Sequence, residues 1–149
     1  MMNYDDGLSN PLEKAVDCSR PVIDDPFLFP CMKLFLENRA DINAISNYWG
    51  NKTALMSAAA RKNSAAVSYL LDNGADLNLA DCYGNTALAI VANVGDIACL
   101  AVLLDHGADV NVTNKNGKTP LMIAKSSRNV ECVKLIEDYM QGLGKVFMK

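Results

Sequence analysis

Leu70-Leu71-Asp72-Asn73-Gly74-Ala75-Asp76-Leu77-Asn78 returns 33 residues later as Leu103-Leu104-Asp105-His106-Gly107-Ala108-Asp109-Val110-Asn111. An eroded earlier copy reads Phe35-Leu36-Glu37-Asn38-Arg39-Ala40-Asp41-Ile42-Asn43, with Arg39 in place of the glycine. A second motif keeps the same step: Thr53-Ala54-Leu55, Thr86-Ala87-Leu88 and Thr119-Pro120-Leu121. Gly84 and Gly117 precede the last two threonines, again 33 apart. A fixed period at two separate motifs means that the chain is built from one structural unit used several times.

Each motif has a physical reading. The threonine opens a helix, where its hydroxyl caps free backbone N–H groups. Pro120 falls at the first helical position, where a missing N–H costs nothing. Pro11 follows Asn10 in the same way. Leu55 and Ala58, like Leu121 and Ala124, share one helical face, and the small residue lets a neighbouring helix come close. A second helix follows in each unit, with apolar residues at helical spacing: Val67, Leu70 and Leu71, then Leu100, Leu103 and Leu104, then Val133, Leu135 and Ile136. Gly74 and Gly107 stand where a helix ends on a left-handed residue. The Asp-x-Asn after each glycine and the glycine before each threonine mark turns. Asp76 and Asp109 are therefore structural turn residues rather than a carboxylate pair.

These motifs resemble the ankyrin repeat, whose period is 33, with T-P-L-H-x-A at the first helix and L-L-x-x-G-A-D-x-N after the second. The resemblance spans about residues 7 to 140. It implies an all-α solenoid of about four helix-turn-helix units, joined by β-hairpin-like loops that project from one edge. One unit cannot bury its own apolar faces, so the stack is the folding unit. A single domain, 1–149, is expected. Its units are approximately 7–45, 46–79, 80–112 and 113–140, with a C-terminal tail at 141–149. The first unit carries an extra stretch around Cys18 to Pro26, and the fourth lacks the Gly-Ala-Asp-x-Asn ending, as a polar cap would.

The chain departs from the family pattern in places. Glu13, Met56, Ala89 and Met122 stand where the family has the histidine of T-P-L-H. That histidine links neighbouring units, so the interfaces here are expected to lean on apolar packing, Met56 and Met122 included. The connector from Asn43 to Thr53 is two residues longer than its later equivalents, and it carries Tyr48 and Trp49, the only tryptophan.

Composition narrows the function classes. Half the 149 residues are hydrophobic, 21% are charged, and the net charge is −3. Such a chain supports a packed core and lacks the concentrated basic surface of a nucleic-acid binder. Charge is uneven: residues 1–46 carry net −4, 47–111 net −3 and 112–149 net +4. That is either steering or solvated surface. No stretch has the 18 or so apolar residues of a membrane span, and Met1 to Asn10 reads as no secretory signal. Five scattered cysteines, Cys18, Cys31, Cys82, Cys99 and Cys132, make no C-x-x-C pair. They fit free thiols in an intracellular compartment, cytoplasmic or nuclear (a host compartment if the source is a pathogen). The sequons at Asn51 and Asn111 are then chance matches.

No catalytic constellation, metal site or cofactor motif can be assembled. The one histidine, His106, sits next to a turn glycine and reads as a cation near a helix C-terminus. Cys99 and Cys132 fall in second helices and read as small core residues. No phosphate-binding glycine motif occurs. Enzyme function is not expected.

The resemblance implies binding to another protein through hairpin tips and the exposed side of the first helices. By position, the expected contact residues are Tyr48, Trp49 and Asn51; Cys82, Tyr83 and Asn85; Lys115, Asn116 and Lys118; and, on the helices, Arg61 and Asn93. Lys62, Val94, Ser126 and Ser127 lie beside the last two. Exposed Tyr and Trp suit this role, since they bury much area at low rotamer entropy. Phe27, Leu28 and Phe29 either cap the first unit or form a second contact. The expected state is a monomer serving as an adaptor, inhibitor or host-directed binder. The alternative is a structural or regulatory subunit of a stable complex. The resemblance also marks Asn78 and Asn111 as positions that the family can carry hydroxylated.

Overall fold

The computed structural model describes residues 41–45 and 50–142. The first unit up to residue 40 with its insert, the tip residues Tyr48 and Trp49, and the end of the tail lie outside the described residues. Six helices follow in pairs: α1 (Ala54–Ala60) with α2 (Ser64–Asp72), α3 (Ala87–Val94) with α4 (Ile97–Asp105), and α5 (Pro120–Ser126) with α6 (Val130–Met140). The first helices stack as α1–α3–α5 and the second helices as α2–α4–α6, so the molecule is a two-layer all-helical stack.

Local chemistry starts and stops each helix. The hydroxyls of Thr53, Thr86 and Thr119 accept the backbone N–H groups of Met56, Ala89 and Met122 at 3.3–3.4 Å. Asn63 and Asp96 cap the second helices in the same manner. At the end of α2, the Gly74 and Ala75 N–H groups donate to the Leu71 and Leu70 carbonyls; at the end of α4, Gly107 and Ala108 repeat the pattern on Leu104 and Leu103. This double bond closes orphan carbonyls around a left-handed glycine. The turns between paired helices place Lys62 (φ 60), Gly95 (φ 82) and Arg128 (φ 60) in the same left-handed conformation, 33 residues apart. Two of the three are not glycine, so this step of the repeat leaves no glycine signature in the sequence.

The core runs between the layers. Leu55, Ala58, Val67, Leu70, Leu88, Val91, Leu100, Leu103, Ala124 and Ile136 are buried. In α6 the innermost positions are Cys132 and Ile136, while Val133 and Leu135 are half-buried against the core. Met56 is buried as expected, but Met122 is 52% exposed. The reason is positional: this register packs onto the following unit, and no described unit follows α5.

The units are also tied by polar bonds, beside the apolar packing of the core. The Asn129 amide donates to the Ala92 and Asn93 carbonyls at the end of α3, at 2.7 and 3.0 Å. Ser127 Oγ donates to Asn93 Oδ1 at 2.8 Å. His106 Nε2 meets Asp72 Oδ1 at 3.3 Å. The Asp76 N–H donates to Asn43 Oδ1 at 2.8 Å. Orphan helix-end carbonyls and side chains at other positions thus replace the missing histidine.

Candidate partner-binding surface

The described connectors fold back as tight loops, with an antiparallel bridge between Ala80 and Thr86. One side chain organises each tip. Asp81 Oδ1 accepts the N–H groups of Tyr83 and Asn85, both at 2.9 Å. Asn114 Oδ1 does the same for Asn116 and Lys118, at 2.9 and 3.0 Å. Neighbouring tips are then joined through the backbone. The Cys82 N–H donates to the Gly50 carbonyl at 2.8 Å, and the Lys115 N–H to the Tyr83 carbonyl at 3.0 Å. Asn114 Nδ2 adds a bond to Asn85 Oδ1 at 3.0 Å. Gly84 is required twice over: its φ is +78°, and a Cβ there would sit 2.8 Å from the Lys115 nitrogen of the next tip.

The loops stand against the first helices and enclose a groove of about 450 Å³, open to solvent. Five of the expected contact residues meet there: Tyr83, Asn85, Asn93, Asn116 and Lys118. Val94, Ser126 and Ser127 line it as well. Tyr83 is 67% exposed, a large aromatic with no core to fill. Cys82, Lys115, Asn51 and Arg61 do not line the groove: Cys82 is half-buried against Gly50, Lys115 is exposed on its tip, and Arg61 is exposed as the residue ending α1. Asn51 has φ +61° at the register of Gly84 and Gly117, so its place follows from backbone need: asparagine is among the few non-glycine types that adopt it readily.

The sequence reading missed Lys52. It lines the groove at the position just before the capping threonine, where the later units have Asn85 and Lys118. The 33-residue register alone would have found it.

Among the described residues no group of three or more His, Cys, Asp and Glu is placed to hold a metal ion. Burial, followed by a hydrogen bond and charge from Asp96, pushes the Cys99 thiol far above its ordinary range; burial first, then Asp96 and Glu131, also raises Cys132. Both remain protonated and unreactive in the core. His106 is raised, first by the Val102 carbonyl on Nδ1; burial opposes this next, and the hydrogen bond and charge of Asp72 and the charge of Asp105 add to the rise. Nδ1 lies 2.9 Å from that carbonyl, so it carries hydrogen, and the Asp72 contact at Nε2 is a donated bond only in the imidazolium. The histidine is thus an inter-unit link at the end of α4. Among the described residues no helix is long and apolar enough to cross a membrane.

A stack of helix pairs with paired loop tips defines a class of repeat protein in which the surface, not a cavity, is the working part. The family model for ankyrin repeats (3 copies) matches residues 26–114 and 73–143, and the chain belongs to that family. No curated protein matches the chain. Ankyrin repeats are generally protein–protein interaction modules and typically non-enzymatic.

Proposed function

We propose that this chain is a protein-binding module that engages its partner with the groove between the loop tips and the first helices. The observation that carries the reading is the convergence of Tyr83, Asn85, Asn93, Asn116 and Lys118 on one open trough. Tyr83 is its anchor: an amphipathic ring, largely exposed on a tip whose backbone is fixed by Asp81 and by Lys115. Partner contact would desolvate the ring at little entropic cost, because the loop is already ordered. The role is that of an adaptor or inhibitor acting as a monomer in an intracellular compartment.

Affinity capture from lysate of the native cell tests this, with wild type beside a Tyr83→Ala, Lys118→Ala variant of matched helicity and melting. Loss of a specific captured protein from the variant is the expected result. Equal capture by both baits would place binding elsewhere and reject the groove.

A second reading, a subunit docked permanently in a larger complex, draws on the exposure of Met122, Val130 and Met140 in the last pair of helices. Sedimentation of the isolated chain separates the two. A monodisperse monomer supports the reversible binder, and self-association that Met122→Lys abolishes supports the subunit.

A further inference from the structure

We propose that the groove selects a partner segment carrying carboxylates, resting on the reading of the groove as the binding surface. Three ionisable side chains other than Tyr83 line it: Lys52, Lys118 and Asp81. Asp81 is buried, and its Oδ1 is engaged by two backbone N–H groups of its own turn, so it shapes the tip instead of presenting charge. Lys52 and Lys118 have no salt-bridge partner among the described residues, and Lys115 is exposed on the same tip as Lys118. The exposed acidic groups of these units, Asp72, Asp76, Asp105, Asp109 and Glu131, belong to the second helices and the turns after them, and none lines the groove. The groove therefore presents the ammonium groups of Lys52 and Lys118 with no exposed carboxylate beside them, whereas the second-helix side mixes its carboxylates with Lys134. Complementary potential of this kind governs partner choice and approach rate more than bulk affinity.

Spacing adds detail. Lys52 and Lys118 are two units apart at one register, and packed helices step by about 10 Å, so the two ammonium stems are separated by roughly 20 Å. An extended segment rises about 3.3 Å per residue, which places matching carboxylates about six residues apart. Between them, Asn85, Asn93 and Asn116 offer amide hydrogen bonds to an extended backbone, and Tyr83 offers a ring face. An acidic peptide segment fits this better than a nucleic acid. Two to three cations are too few to neutralise a phosphate backbone, and the chain as a whole carries net −3.

The test titrates the ¹⁵N-labelled full chain with three probes of equal length: a peptide with Glu at every sixth position in a Ser/Asn/Leu background, the same peptide with Gln for Glu, and a single-stranded oligonucleotide. The Glu peptide is expected to shift amides around Lys52, Tyr83, Asn93 and Lys118. It should bind about tenfold more tightly than the Gln peptide, weaken with added salt, and lose that preference in a Lys52→Glu, Lys118→Glu variant whose melting matches wild type. Equal binding of the Glu and Gln peptides in the groove would overturn the carboxylate preference and leave the binding surface standing. Tighter binding of the oligonucleotide would overturn it in favour of a polyanion. Shifts confined to the second-helix side, or no shift with any probe, would reject the preference too. The capture comparison of wild type and the Tyr83 variant then decides independently whether the groove binds protein at all.

Discussion

Ala59 and Ala92 are fully buried, yet Lys125 holds the same register one unit further on and its side chain is 55% exposed. Leu71 and Leu104 are buried, and Glu137 follows them at 43%. In the inner units this pair of positions is the apolar seam to the next unit. In the last described pair of helices the same seam is an ion pair, Lys125 Nζ to Glu137 Oε1 at 2.9 Å. A Cβ at Gly84 would strike the next tip, but one at Gly117 would meet nothing within 4 Å. One backbone template thus serves two environments. The residue at each register reports whether protein or water lies on the far side, as a stack with a polar terminal face requires.

Exchanging residues between the two environments should break the stack in graded steps. Ala92→Lys places an unpaired ammonium between α3 and α5. It is expected to cost about 3–5 kcal/mol, read as loss of cooperative urea unfolding or a large drop in its midpoint. Leu103→Ala, fully buried in α4, should cost about 2–5 kcal/mol in the same measurement, whereas Met122→Ala should stay within about 0.5 kcal/mol. Gly95→Ala adds a Cβ 2.6 Å from Asn129 Oδ1 at a φ of +82°, for a loss of about 1–3 kcal/mol. Pairing it with Asn129→Ala should recover the steric part but not the backbone part, which a double-mutant cycle would resolve. Lys125→Ala, at the terminal face, should cost at most about 1 kcal/mol and less in high salt.

The smallest effect is pH dependence. The folded state raises His106, so it binds more protons than the unfolded chain near neutrality. The stability from the Asp72 link is fully present below the unfolded histidine value of about 6.5 and is lost as pH climbs through the folded value. Asp72→Asn should lower the His106 titration midpoint by NMR and flatten that slope; an unchanged midpoint would leave the Val102 carbonyl and the Asp105 charge as the causes.

The repeat, the capping threonines and the glycine stops were legible because each rests on local chemistry that demands a particular residue. What stayed hidden falls where the demand is looser. Lys62 and Arg128 take a left-handed conformation without being glycine, and Asn51 does so while reading as a polar tip residue. Asn129 resembles a helix cap but sends its amide across to α3. Met122 looked like core because its equivalent Met56 is core; only the position in the stack separates them. Groove membership was half legible. Register placed Tyr83, Asn85 and Lys118, but which side chains reach the trough depends on how far each tip leans over the helices, and Lys52 and Lys115 fall on opposite sides of that line. Tyr48 and Trp49 lie outside the described residues, and their contact role is an expectation from position alone.

The tips are coupled one to the next by a single backbone hydrogen bond at each step, Cys82 to Gly50 and Lys115 to Tyr83. The helices are coupled by continuous apolar packing. Mechanically, that makes the edge bearing the loops the compliant one. A load that straightens the stack strains these few polar bonds, with the Asn114–Asn85 amide contact among them, before it disturbs the helical layers. The trough along that edge would then change its width before the helical layers change theirs.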